Sequence, residues 1–348
     1  MTVPLAQQVG ETLSRADVVI DVRTPAEFAK GAISGAVNIP LFDNKERAEI
    51  GIIYKQIGQQ QAIDKGLEAV GGRLPKFVST FEPYRGQQIV VYCARGGMRS
   101  GSVVSLLNSL GFNATKLEGG YKGFRNYLLE TLPTIIPPQL IVIHGRTGTG
   151  KTLLLDLLPN AIDLEGIAQH RSSLFGGVNR NPRTQQQFEA LLFHRLQEVD
   201  ASQPVWVEGE SRKVGDAILP DALRNTMEKS ICVLVTAPMK VRVARIIDEY
   251  SRHDPATMAQ LETALRSLTQ HFGKERMEEM VALLKADDLE PLVEVLLEEY
   301  YDPRYLHSMR NYQYSLELSS ENLEACAKEL QTFAQQLPAS PDPLANAG

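Results

Sequence analysis

A cysteine, two arginines and two glycines sit together in CARGGMRS, residues 93–100, directly after the apolar run Gln88-Ile89-Val90-Val91-Tyr92. A strand that ends at Cys93 places its sulfur at the carboxyl edge of a parallel sheet, where open α/β sheets hold their ligands. Gly96 and Gly97 let the backbone curl so that successive N–H groups converge on one point at the start of a helix, which favours an anion. A thiolate, persulfide or selenide is the chemistry such a loop stabilises, so the Cys93 pKa is expected to be depressed. Arg95 and Arg99 add positive charge to the same loop. Cys232, inside ICVLV, and Cys326, near the C-terminus, are expected to be buried packing residues.

A second stretch, GRTGTGKT (residues 145–152), matches the full G-x4-G-K-T pattern and lies between an apolar strand and a helix. Gly145, Gly148 and Gly150 permit the backbone to wrap a diphosphate, Lys151 supplies a point charge, and Thr152 is the residue that would hold Mg²⁺. The loop does not specify the phosphate ester, with ATP or GTP the default. Glu208, closing the apolar Val205-Trp206-Val207, is a Walker-B-like candidate with Glu210 close behind. Both are equally readable as surface carboxylates on a loop. Asp163-Leu164-Glu165-Gly166 is a second acidic turn of the same ambiguity. His144, just before the loop, reads as a packed strand-end residue, and no residues are assigned as ligands of a protein-held metal.

The elements that must position these loops are legible as alternating strands and helices. Residues 17–21 form a strand ending at Asp21, and Thr24-Pro25 opens a helix with Thr24 as N-cap. A short strand follows over residues 36–39. Residues 43–85 read as helical, with Gly51, Gly58, Gly66 and Gly71-Gly72 as breaks. Ser100–Leu110 has helical spacing and is closed by Gly111. Pro133, Pro137 and Pro138 mark a linker, after which Leu140–Ile143 is a strand and Thr152–Leu158 a helix. Further strands are expected at Val205–Val207 and Ile231–Val235, then a charged helical region over 241–299 and an amphipathic helix over 320–336. The order implies parallel sheets covered by helices, in a domain over 1–133, a second over 139–336 and a flexible tail over 337–348.

Composition sets outer limits. The 348 residues are 43% hydrophobic and 22% charged, which suits about two globular domains and excludes wholesale disorder. No run approaches the roughly 18 apolar residues of a membrane span. MTVPLAQQVG lacks the basic and apolar regions of a secretion signal, so a cytoplasmic location is expected. Three scattered cysteines make no disulfide framework. With 36 basic against 42 acidic residues the net charge is −6, so any nucleic-acid contact must come from a local basic groove.

DVRTPAEFAKGAISGAVNIP (21–40), CARGGMRS and EGGYKGFR (118–125) resemble a rhodanese domain. In that family the loop cysteine carries a chalcogen, and Asp21 and Arg23 match the first-strand motif, read here as a salt-bridged brace. A rhodanese-like domain fused to a phosphate loop is similar to the tRNA 2-selenouridine synthases, a resemblance running over about residues 15–310. ERAEIG (46–51), YKQIG (54–58), LEGGYKG (117–123), DLEGIAQHRSSLFG (163–176), VEGESRKVG (207–215) and LEEYYDPRY (297–305) carry it further. The resemblance makes the long 44–86 segment a family insertion in which Gly66 matches a required glycine. It implies no tightly bound cofactor. It also implies a two-part reaction, in which geranyl diphosphate alkylates the sulfur of a wobble 2-thiouridine in tRNA and selenium from selenophosphate then displaces the geranylated sulfur.

On this view the phosphate loop cradles the geranyl diphosphate and Cys93 receives or guides the selenium. RNA phosphates are then expected to meet arginines such as Arg171, Arg180, Arg183, Arg195, Arg242, Arg245 and Arg252, with His170, His194 and His253 beside them. The rival reading is a rhodanese-type sulfurtransferase coupled to an ATPase or kinase, which predicts nucleotide turnover and no prenyl requirement. A third, a nucleotide-sensing binding module, needs Cys93 to be dispensable.

Overall fold

The computed structural model describes residues 4–171, 173–250, 254–309 and 312–338. Arg252, His253 and the tail from residue 339 lie outside that set. The chain divides into two compact units: residues up to Thr134 with Glu189–His194, and the remainder.

The first unit is built on a parallel sheet of β1 (Val18–Asp21), β2 (Val37–Asn38), β3 (Gln88–Tyr92) and β4 (Asn113–Lys116), in the order β2-β1-β3-β4. Its strands are short and β-branched because both faces are covered, and Ile20, Ile89 and Val91 are fully buried. The chain runs outward from β1 to β2, then restarts at β3 on the other side, so the sheet's switch point lies between β1 and β3. That is where Asp21 and Cys93 end up. Thr24 caps the helix Pro25–Lys30 through a full capping box with Glu27, as its sequence position requires.

The insertion over 44–86 contains the helices Asn44–Gln56, Gln59–Gly71 and Leu74–Ser79. Gly51 and Gly66 do not break them. Each sits in mid-helix, and only Gly58 and Gly72 mark junctions, Gly58 as an N-cap and Gly72 as a C-cap. A Cβ on Gly66 would lie 3.3 Å from the Phe42 ring and 3.9 Å from Ile50, so this glycine lets the second helix press against the first. Arg73 fixes the arrangement from the far side, with bidentate hydrogen bonds of 2.8 and 2.6 Å to Glu46 and a third to the Leu41 carbonyl.

The second unit has a five-stranded parallel sheet of β5 (Leu140–His144), β6 (Ala161–Ile162), β7 (Val205–Glu208), β10 (Ile231–Thr236) and β11 (Tyr314–Ser319), with β8 (Lys213–Val214) and β9 (Ala217–Ile218) as a separate hairpin. The order β11-β10-β5-β7-β6 puts β5 at the centre, with later strands added on both sides. β11 went unread in the sequence, and the last helix runs over Leu323–Gln335, not from Ser320. Asn322 caps that helix at the Ala325 N–H, which sets its start. The charged region after β10 folds into the helices Met239–Glu249, Pro255–Arg266, Thr269–Phe272, Lys274–Lys285 and Leu289–Val295, which pack around a core that includes Leu265, Met277, Met280 and Leu284. A π-helical turn, Leu296–Tyr301, leads from these into the helix Asp302–Met309. Among the described residues no helix is long and apolar enough to cross a membrane.

Candidate active sites: a cysteine loop and a phosphate loop

Cys93 follows β3 at once and is 4% exposed, on the floor of the turn that leads into the helix Met98–Ser109. Its sulfur accepts a hydrogen bond from the Ser100 hydroxyl at 3.2 Å and from the backbone N–H groups of Arg95 and Ser100. Burial pushes the thiol pKa up, but these donors and the charge of Arg99 outweigh it, and the thiol lies below its ordinary value. Arg99 contributes at a remove. Its guanidinium grips Glu27 with hydrogen bonds of 2.7 and 3.1 Å, while the Arg95 side chain is exposed and only its amide serves the sulfur.

What holds the loop in shape is the segment after β4. The Tyr121 and Lys122 N–H groups donate to the Cys93 and Ala94 carbonyls at 2.8 and 3.0 Å. Gly120, at φ +56°, lies so close that a Cβ there would meet the Cys93 carbonyl oxygen at 2.2 Å and the Gly96 nitrogen at 2.3 Å. Gly96, itself at φ +62°, packs back on Leu117 and Gly119. Asp21 and Arg23 act as a brace: Asp21 is fully buried, and Arg23 binds it at 2.6 Å, donates to the Gly31 carbonyl and stacks on Tyr121 at 4.0 Å. Ser100, Glu27 and Gly120 carried no functional reading in the sequence, although EGGYKGFR stood out as a motif.

The phosphate loop follows β5, with Gly148 and Gly150 at φ +81° and +85°. A Cβ on Gly148 would sit 2.9 Å from the Arg242 carbonyl oxygen, and one on Gly145 would meet Thr149 Oγ1 and the Val235 carbonyl. Lys151 opens the helix Lys151–Leu157, and its Nζ donates to the Gly145 carbonyl at 3.0 Å, within 5.9 Å of the Tyr305 ring. Burial works against its charge, yet the phenol of Tyr305 and the carboxylates Glu165, Glu210 and Glu208 raise its pKa. Thr152 Oγ1 donates to Glu165 at 3.3 Å.

Glu208 is no surface carboxylate: it is 1% exposed at the end of β7 and accepts the Glu165 N–H at 2.7 Å. Its second oxygen is buried without a partner among the described residues. Burial, then the charges of Asp163, Glu210 and Glu165, push its pKa well above the ordinary carboxylate range. Asp163 caps the helix Leu164–Ala168 by accepting the Gly166 N–H. His144 is a packed residue, its ring 4.2 Å from that of Tyr312, and burial with the nearby Lys151 charge pushes its pKa down to about 4. Among the described residues no three His, Cys, Asp or Glu side chains group as a metal would require.

Arg242, 3% exposed, ties the phosphate loop to the helical region. Its Nε donates to the Thr147 carbonyl at 2.8 Å while its two other nitrogens grip Asp302 at 2.9 and 2.5 Å, and Arg146 meets the same carboxylate at 3.1 Å. Asp302 stands immediately after the π-helical turn, inside the LEEYYDPRY segment. Beside this clamp the phosphate loop opens into a cavity of about 430 Å³. It is lined by Gly148, Gly150, Lys151 and Thr152 of the loop and by Leu261, Leu265, Leu284, Leu292, Leu297 and Tyr301 of the helical region.

Most of the arginines expected to meet RNA are engaged elsewhere. Arg183 donates to the Gly166 and Ile167 carbonyls, Arg195 to the Ala161 carbonyl, and Arg245 to those of Thr149 and Ser320. Arg171 pairs with Glu249, and Arg242 is committed to Asp302. Arg171, Arg180 and Arg245 line the cavity. These side chains look basic in sequence because it does not show that their partners are carbonyls and carboxylates of the same unit.

Comparison with known proteins adds a family to this geometry. The sequence profile of the tRNA 2-selenouridine synthase AAA domain matches residues 138–337, and that of the rhodanese-like domain matches residues 5–127. Among solved structures, the N-terminal domain of a Clostridium difficile 630 protein described as ATP/GTP binding is 46% identical, over 34% of this chain and 95% of that one, with a TM-score of 0.33. An uncharacterized protein from Eubacterium ventriosum ATCC 27560 is 10% identical, over 57% of this chain and 99% of its own, with a TM-score of 0.25. The synthase-domain match alone spans more than half of the sequence, and the protein belongs to the tRNA 2-selenouridine synthase family.

Proposed function

We propose that this protein exchanges sulfur for selenium at the wobble 2-thiouridine of tRNA by way of a geranylated intermediate. Family membership makes it a tRNA-modifying enzyme, and the observation that supports the geranyl step is the apolar cavity behind the phosphate loop. Leucines and a tyrosine of the helical region suit a hydrocarbon, beside charged groups such as Lys151 and Arg171 that suit its diphosphate. Each methylene buried there is worth about 0.8 kcal/mol.

The phosphate loop then holds the diphosphate, with Lys151 giving up the Gly145 carbonyl for phosphate oxygens. In the first step the thiocarbonyl sulfur bonds to C1 of the geranyl chain as the C1–O bond breaks. The electron pair leaves with pyrophosphate, and the N3 proton of the thiouridine passes to solvent. The loop amides and Lys151 meet the charge that develops on the leaving group. Thr152 and Glu165 are the residues that would hold a magnesium ion accompanying the diphosphate, which would neutralise part of its charge.

The second step replaces geranylthiol. Selenophosphate attacks C2 through selenium, geranylthiolate leaves and takes a proton from solvent, and water cleaves the Se–P bond to give selenouridine and phosphate. The donors around Cys93 suit an anion at that point, and the residue receives or guides the selenium there.

The test is mass spectrometry of nucleosides from 2-thiouridine tRNA incubated with the protein. Geranyl diphosphate and selenophosphate are added singly and then together. A geranyl mass shift followed by a sulfur-to-selenium shift is expected. An unchanged nucleoside accompanied by hydrolysis of added ATP would instead favour a sulfurtransferase coupled to a nucleotidase.

A further inference from the structure

Four basic side chains line the cavity behind the phosphate loop: Lys151, Arg171, Arg180 and Arg245. Three are engaged within the protein. Lys151 donates to the Gly145 carbonyl, Arg171 pairs with Glu249, and Arg245 donates to the Thr149 and Ser320 carbonyls at 2.8 and 2.5 Å. Arg180 differs. Its guanidinium makes no hydrogen bond or ion pair among the described residues, although the residue as a whole is half-buried. It acts on Asp163 and Glu249 only through the field of its charge.

With no partner in the protein, all five planar N–H donors of the guanidinium are left over. Those donors form a fork that matches phosphate oxygens two at a time, which an ammonium such as that of Lys151 does not. Arg180 stands on the segment after the helix Leu164–Ala168, which contributes to the cavity wall, with Val178 of that segment packed into the helical core. Its backbone is held in place by the bond from its N–H to the Gly177 carbonyl, at 3.2 Å. The cation is therefore anchored by its chain and uncommitted at its tip.

We propose that Arg180 is a second diphosphate-binding residue, which grips the leaving group in the cavity that the phosphate loop also lines. This deepens the geranyl-transfer reading and rests on it. As the C1–O bond breaks, the electron pair moves onto the departing pyrophosphate oxygen, and the fork meets the added charge there.

The experiment uses the full-length protein and three substances: inorganic pyrophosphate, geranyl diphosphate and ATP. Dissociation constants are measured by calorimetry for the wild type, Arg180→Ala and Arg180→Lys, with single-turnover geranylation of 2-thiouridine tRNA alongside. Arg180→Ala is expected to weaken pyrophosphate and geranyl diphosphate binding by about 10- to 100-fold and to slow geranyl transfer by about 100-fold or more. Arg180→Lys is expected to recover more of the binding than of the rate, because a point charge replaces the fork. The ligand-free melting temperature of Arg180→Ala should stay level or rise, which a merely structural arginine would not do.

Wild-type affinity for pyrophosphate in Arg180→Ala, with a transfer rate within twofold, overturns the proposal and leaves the geranyl reading standing. A ligand-free melting temperature that falls by several degrees also overturns it, in favour of a structural role. If the wild type binds pyrophosphate and ATP but not geranyl diphosphate, the geranyl reading fails, and the pyrophosphate arm still decides Arg180. Absence of pyrophosphate binding in the wild type overturns both.

Discussion

The cysteine loop and the phosphate loop are both glycine-rich turns between a parallel strand and a helix, but they are held in opposite ways. Around Cys93 the donors already point at the sulfur, and the backbone is locked to the Gly119-Gly120 turn by hydrogen bonds and by contacts that leave no room for a Cβ. Around Gly145–Thr152 the charged side chains rest on substitutes: Lys151 on a carbonyl and Thr152 on Glu165. The first loop is set before its ligand arrives. On the proposed reading the second must exchange internal partners for ligand oxygens, so that a diphosphate would bind and leave at modest net cost.

The sharpest way to break this contrast is to remove the Cys93 sulfur. Cys93→Ala deletes one small buried group, so its melting temperature should stay within a few degrees of wild type while selenium incorporation disappears. Geranylation should continue. Wild-type selenouridine in that variant would mean the loop is not the selenium site. Next in size, Lys151→Ala should lower the single-turnover geranylation rate by about 10²–10³-fold, and an unchanged rate would contradict the role given to the phosphate loop.

Gly120→Ala tests the lock itself. A left-handed φ and a 2.2 Å clash with the Cys93 carbonyl predict a loss of about 2–4 kcal/mol in denaturant unfolding. The selenium step should suffer and the geranyl step should not. If both fall equally, the two loops are not independent in the sense drawn here.

The smallest effect concerns His144. Its folded pKa is pushed down to about 4, below the roughly 6.5 of an exposed imidazole, so the unfolded chain takes up the proton first. Stability contributed by the neutral ring is therefore present above about pH 6.5 and is lost as the pH falls towards 4, by at most about 1.4 kcal/mol per pH unit. His144→Phe should flatten that part of the stability–pH curve. An unaltered slope would place the acid sensitivity elsewhere.

How far these arrangements could be read in advance depended on whether a feature is local. The strand–cysteine–glycine and strand–GRTGTGKT signatures are contiguous, so both loops and the parallel sheets around them were legible. Thr24 as an N-cap was legible for the same reason. Gly66 misled because a glycine in mid-helix looks like a break until its neighbour, Phe42, is known. β11 was missed although Tyr314, Leu316 and Leu318 alternate with polar residues, because the short run lay beside a strong helical pattern. The arginines were the least legible. Whether Arg183 meets an RNA phosphate or the Ile167 carbonyl is a matter of tertiary geometry that spacing does not encode. Arg242 and Asp302, 60 residues apart, are joined only by the fold.

That pairing depends on the phase of one turn. The π-helical segment Leu296–Tyr301 closes its hydrogen bonds over five residues, one more than an α-helix, and Asp302 follows it directly. If the segment closed as an α-helix with all its residues kept, everything downstream would rotate by roughly 100°. Asp302 would swing away from Arg242 and Arg146, and the Thr147 carbonyl would lose the anchor behind its arginine. A change that drives this turn to α-helical hydrogen bonding should therefore behave like a lesion in the phosphate loop itself, some 150 positions earlier in the chain. Removing the one extra residue at the same time would restore the phase and the clamp with it.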